Sequence, residues 1–401
     1  MKRLLPPVLV LCCLAASACA EPDGAWNVID LPSPAGPGSG EPFLAGHGDR
    51  LYLSWLQKTT NGHDLLLSRW DGEAWSDPTL ITTSDSLFVN WADFPSVIPL
   101  ADGSLAAHWL ARAGEGTYAY HVWTATSSDG GASWSEPHRL HSDASPTEHG
   151  FVTLLDDGAL AAAWLDGRNT AGGHAGEMML LFGGPGGEET VLDSRVCDCC
   201  QTAGAVIPGG VFVAYRDRSD DELRDISYVR RVDGRWSEPR TLHADGWKIP
   251  ACPVNGPAVA ARDGNLAVAW FSSPRQEGAK DPRVQVSFSR DSGDTFGAPL
   301  RLSGEHPLGR VDVIWLDDRS VLAVWMERLP DEDGEAEIRA RIVHRDGRME
   351  PSRTVTRVSA NRSSGFPRLA ATTQGVIAAW TLPGEPARVR LALLQAGREG
   401  G

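Results

Sequence analysis

The chain has 401 residues, 37 Lys plus Arg against 52 Asp plus Glu, and a formal net charge of −15. That balance, with no basic stripe anywhere, excludes nucleic acid or an anionic membrane as a partner held by charge. Hydrophobic residues at 42%, with 43 glycines and 27 prolines, describe a turn-rich globular chain rather than a disordered one.

Residues 1–20 read as a secretory signal: Met1-Lys2-Arg3, an apolar run from Leu4 to Leu14, then the small residues Ala15 to Ala20. The run is too short to span a membrane. Cleavage before Cys19 would leave a lipid anchor on that residue, the one membrane attachment expected, whereas cleavage after Ala20 would release a soluble protein. The expected location is therefore the periplasm or cell envelope, with secretion as the alternative. Of seven cysteines, four then remain: Cys197, Cys199, Cys200 and Cys252.

An N-terminal segment, 21–40, precedes a repeat over 41–395, and a short tail covers 396–401. The repeat is marked by an apolar strand ending in an aromatic residue: Trp55, Trp109, Trp164, Tyr215, Trp270, Trp325 and Trp380, spaced by 54, 55, 51, 55, 55 and 55 residues. Each marker follows a short apolar segment, often across an Asp-Gly turn such as Asp157-Gly158. It is followed by a polar loop, an alternating strand, and a Trp-Ser-acid-Pro strand such as Trp75-Ser76-Asp77-Pro78 or Trp236-Ser237-Glu238-Pro239. Four short antiparallel strands per unit and seven units predict an all-β, seven-bladed propeller. The seventh unit ends before its fourth strand, and Gly24-Ala25-Trp26 looks like a stray copy of one, so the N-terminal segment is expected to close the ring.

Two turns, Ser127-Ser128-Asp129-Gly130-Gly131-Ala132-Ser133-Trp134 and Ser289-Arg290-Asp291-Ser292-Gly293-Asp294-Thr295-Phe296, resemble the Asp box of bacterial sialidases and their relatives, also called the BNR repeat. The resemblance covers roughly residues 40–395. It implies an exported sialidase-like propeller binding an anionic or sugar-like ligand on its axial face, with exo-α-sialidase-like glycoside hydrolysis as the implied activity. Sialidases have six blades, which stands as the alternative architecture, and no Arg-Ile-Pro motif is present here.

Propeller sites gather in the loops around the axis. Those loops carry Arg168, Arg216, Arg218, Arg224 and Arg310, whose guanidinium forks suit a carboxylate, phosphate or sulfate. His149 and Asn255 occupy equivalent positions beside them. The resemblance makes Arg168, Arg216 and Arg310 candidates for holding a substrate carboxylate. It also asks for a Tyr nucleophile and an acid/base group, for which Tyr215, Asp93 and Asp217 are the candidates. Loop salt bridges are the competing reading of the arginines, and core packing that of Tyr215.

Cys197 and Cys252 lie 18 residues before Tyr215 and Trp270, at one repeat position in adjacent blades. Four sulfurs should therefore meet. In an oxidising compartment they would form disulfides; otherwise they would form a thiolate site for a soft metal such as Cu(I), joined by His149 or His174, in a non-catalytic metal or redox protein. Gly246-Trp247-Lys248 and Asn255-Gly256-Pro257 would shape that pocket. A pure interaction scaffold is the remaining alternative.

Overall fold

A computed structural model describes residues 27–48, 50–172 and 177–395. The signal-like segment, Trp26, His174 and the tail lie outside the described residues. Seven antiparallel blades follow one another around an axis, as the repeat predicts, six of four strands and one whose fourth strand is split into Arg235–Trp236 and Arg240–Thr241. The first strands, nearest the axis, are Ser39–His47, Ser96–Pro99, His149–Asp156, Ala203–Ile207, Ala258–Arg262, Pro307–Trp315 and Arg368–Thr372. Blade 7 is completed by Asn27–Leu31, which pairs antiparallel with Arg388–Gln395, and an Arg390–Asp30 ion pair at 2.9 Å reinforces that closure. Among the described residues no helix is long and apolar enough to cross a membrane.

The seven markers all lie on second strands and none exceeds 5% exposure. Second strands are apolar on both faces because each blade is sandwiched between two others. In blade 1 (second strand Arg50–Thr59), Leu51, Leu53 and Trp55 pack against Ile377, Ala379 and Leu391 of blade 7, while Tyr52 and Leu56 pack against Val97, Leu105 and Ala107 of blade 2. The period of two thus wires each blade to both neighbours.

Most markers also use their polar end. Trp164 Nε1–H donates to Asp166 at 2.9 Å, Trp270 Nε1–H to Asp245 at 2.7 Å and Trp325 Nε1–H to Glu327 at 2.8 Å. Tyr215 does the same, its hydroxyl donating to Asp193 at 2.6 Å.

The two turns that carry the Asp-box resemblance share one hydrogen-bond pattern. Asp129 accepts from the Ser133 N–H (2.9 Å) and hydroxyl (2.6 Å), and Asp291 accepts from the Thr295 N–H (2.9 Å) and hydroxyl (2.6 Å). Gly131 and Gly293 have φ of 93° and 83°, and a Cβ at either would strike Leu67 or Phe212. These turns brace the outer edge, remote from the axis.

Candidate functional site

The axial loops are tied blade to blade by backbone hydrogen bonds. Phe151 N–H donates to Asp93 (2.8 Å), Gly256 N–H to Gln201 (2.9 Å), Arg310 N–H to Asn255 (2.7 Å) and Leu369 N–H to Asp312 (2.8 Å). Three first strands begin with the same bulge after Gly40, Gly150 and Gly309, where Glu41, Phe151 and Arg310 take positive φ of 50°, 51° and 55°. Asn255 therefore belongs to the scaffold that positions the loops. Below it an axial cavity of about 590 Å³ runs between the first strands, lined by apolar residues such as Phe43, Phe151 and Val313.

On this scaffold the cysteines converge. Cys197 follows the last strand of blade 3 and pairs its N–H with the Arg216 carbonyl at 3.0 Å, which anchors the turn that carries Cys199 and Cys200. Cys197 Sγ stands 3.2 Å from Cys200 Sγ and 3.8 Å from Cys199 Sγ, and no disulfide joins any of the four. Cys252, exposed, reaches the same group from the next loop by a contact with Cys199. Arg224 donates to Cys197 Sγ at 3.1 Å. Burial pushes the Cys197 thiol up, and bonds to its sulfur neighbours push Cys199 up. Cys200 is held well below the ordinary thiol range: burial opposes ionisation, but donors from Cys197 and Cys199, the Arg216 charge and the Asn255 backbone outweigh it. Cys252 is lowered too, chiefly by Cys199. The surroundings thus favour the ionised form at Cys200 and Cys252 and the thiol form at Cys197 and Cys199.

Beside them lies a carboxyl pair around a phenol. Tyr120, fully buried and stacked on Phe88 at 4.1 Å, approaches Glu148 Oε1 at 2.7 Å and Asp93 Oδ2 at 3.0 Å through its hydroxyl. A phenol brings one proton, so two such contacts require one carboxyl to supply its own. Burial agrees: it raises Asp93 to about 7 and Glu148 to about 8. Asp198 and Cys252 add to the rise at Glu148, which places this pair against the sulfur group.

A third constellation sits where blades 2 and 3 meet. His121, His141 and His149 form a contact trio with ligand atoms within 4.8 Å of one another. Asp143 and Asp166 border it, and burial holds His141 at about 3 and His121 at about 4, so both rings are neutral at pH 7.

The arginines disperse among separate partners. Arg216 is buried, donates to the carbonyls of Asn255 (2.8 Å), Arg224 and Phe271 (2.7 Å), and lies over Trp247. Arg310 donates to the Asn361 carbonyl at 2.9 Å and lies over Trp91, and burial lowers it to about 10. Arg168 grips Asp166 and Glu189, while Arg218 and Arg224 grip Glu222 and face Asp198. Each named guanidinium is matched by an acid or by carbonyls, so the expected cluster of arginines open to one carboxylate is replaced by internal pairing. Tyr215 fills a marker position and is 1% exposed. Asp217, raised by burial, is tied to the Ser227 hydroxyl at 2.9 Å on the Tyr215–Asp193 side and stands apart from the Tyr120 group. Tyr120, Glu148, His121 and His141 went unrecognised in the sequence.

No protein-family model matches this sequence, and no curated protein resembles it significantly in sequence. Solved structures do resemble the fold. A protein of unknown function from Dyadobacter fermentans is 16% identical with a TM-score of 0.52, over 93% of this chain and 98% of that one. The polysaccharide lyase Uly1 is 9% identical with a TM-score of 0.53, over 88% and 89%. An α-L-arabinanase from Penicillium chrysogenum is 12% identical with a TM-score of 0.49, over 93% and 99%. The first two define the class, a β-propeller, and at such identities they speak to fold alone.

Proposed function

We propose that this protein is an envelope-located propeller that binds a soft transition-metal ion, Cu(I) foremost, through Cys197, Cys199, Cys200 and Cys252. The observation that carries this reading is the sulfur group itself. Separations of 3.2 and 3.8 Å lie around the roughly 3.7 Å expected between thiolates on a tetrahedral ion with bonds of ~2.3 Å. Thiolates select soft ions, and the nearby Arg216 and Arg224 stabilise the ionised sulfurs such an ion needs. The signal-like N-terminus supports the envelope location. Purified protein, reduced and then titrated with Cu(I) against a chromophoric chelator, should take up one equivalent. Recovery of four oxidised sulfurs by mass, with no copper uptake after reduction, would replace this reading with structural disulfides.

A second reading, glycoside cleavage of sialidase type, is favoured by one observation: a Tyr flanked by Glu148 and Asp93, the residue classes that such chemistry uses. The full burial of Tyr120 counts against it. Turnover of fluorogenic sialosides or arabinosides that is abolished by Glu148→Gln would establish it, and inactivity across a panel would retire it.

A further inference from the structure

The blade 2–blade 3 junction holds a donor set of different chemistry. His121 is the second residue of the third strand of blade 2 (Tyr120–Ser127), Asp143 lies in the loop to blade 3, His149 opens that blade's first strand, and Asp166 ends its second. His149 Nδ1–H donates to the Thr147 carbonyl at 3.1 Å, which turns Nε2 toward two carboxylates. That atom stands 3.1 Å from Asp143 Oδ2 and 3.6 Å from Asp166 Oδ1, yet makes no hydrogen bond. One imidazole nitrogen facing two carboxylates is an arrangement that a shared cation would complete. The two separations bracket the roughly 3.3 Å between ligands of a tetrahedral ion with bonds of 2.0–2.1 Å. His121 Nδ1 is also buried without a partner and belongs to the same cluster.

The surroundings fit a bound cation. Arg168 and the Trp164 indole hold both oxygens of Asp166, the outer support a ligating carboxylate needs. Asp143 is fixed by the Ser145 N–H and hydroxyl. Two carboxylates, Asp166 and Glu189, share one guanidinium, Arg168, while nearby Arg139 is spent on the carbonyls of His141 and Ser142. His141 differs from its neighbours. Its Nδ1 faces the Asp143 carbonyl at 2.9 Å, its Nε2 accepts from the Val122 N–H at 3.3 Å, and its ring lies flat on His149 at 3.8 Å and 3°.

We propose that His149, His121, Asp143 and Asp166 form a site for a divalent first-row transition ion, with His141 as a positioning residue that fixes the His149 ring. Imidazole with carboxylate suits Zn²⁺ or Cu²⁺ rather than the soft ion of the sulfur group. The probe is Zn²⁺ and the host is the full chain with all four axial cysteines changed to serine, so failure of the thiolate reading leaves this test intact. Calorimetry should record one equivalent, and X-ray absorption a first shell of nitrogen and oxygen at about 2.0–2.1 Å with imidazole scattering. His149→Gln and His121→Gln should each weaken uptake at least about tenfold while circular dichroism stays unchanged. Should His149→Gln fail to fold, His121→Gln, at the edge of the cluster, carries the comparison. A folded host that takes up no Zn²⁺ in excess, or uptake indifferent to His121→Gln, overturns the proposal.

Discussion

The sulfur group and the histidine group sit on adjoining blades of one ring, but the side chains that touch their donor atoms differ in charge. Around the sulfurs stand Arg216 and Arg224, with Asp198 and Glu222 paired to the second, and Cys252 opens to solvent. Around the imidazoles stand Asp143, Asp166 and Glu189, and His149 is wholly enclosed. Thiolate donors suit a soft ion, whereas imidazole with carboxylate suits a harder divalent one. On the two proposals above, one propeller would offer two donor sets of different chemistry on neighbouring loops.

The strongest way to break the comparison is Cys197→Ser with Cys200→Ser. Cu(I) affinity in chelator competition should fall at least about 100-fold, beyond the 10–100-fold that outer-shell changes cost, while Zn²⁺ uptake at the histidine group is unchanged. Glu148→Gln probes the ground between the two groups. Glu148 is raised by burial to about 8 from an ordinary value of 4.5, so the folded protein keeps a proton that the unfolded chain releases. Its contribution is therefore complete below about pH 4.5 and is lost as pH rises through 8. The melting temperature should fall across that window, and Glu148→Gln should flatten the fall by an amount on the order of 2 kcal/mol at pH 8. Trp164→Phe removes the indole donor from Asp166 and should cost about 1–2 kcal/mol in denaturant unfolding, with Zn²⁺ binding weakened and Cu(I) binding spared. Arg224→Gln removes the donor to Cys197 and should weaken Cu(I) by about tenfold, without effect on Zn²⁺.

The architecture was legible because every blade repeats one physical problem. A second strand buried on both faces needs an aromatic at one height, and seven such residues at near-constant spacing count the blades and expose the missing outer strand that Asn27–Leu31 supplies. The approach of the Cys252 loop to the loop of Cys197, Cys199 and Cys200 follows from the same register. The arginines were less legible, since a guanidinium that binds a ligand and one that caps backbone carbonyls have the same spelling; Arg216 differs from a ligand residue only in its partners. Tyr215 and Tyr120 make the same point. The first stands at a marker position and behaves as the tryptophans do, while the second meets Asp93 and Glu148 because its strand bridges to the next blade at Glu148. The histidine group draws on positions 121, 143, 149 and 166 in two repeats, with no fixed spacing. The signal available was register: the start of one blade's third strand and the start of the next blade's first lie at one height, which sets His121 beside His149.

The most direct test of the central claim is sulfur and copper X-ray absorption on the reduced protein loaded with one equivalent of Cu(I). The first shell should be sulfur only, at about 2.2–2.3 Å, and should disappear in Cys197→Ser with Cys200→Ser. A shell of nitrogen or oxygen, or a sulfur edge showing disulfides that persist after reduction, would contradict it.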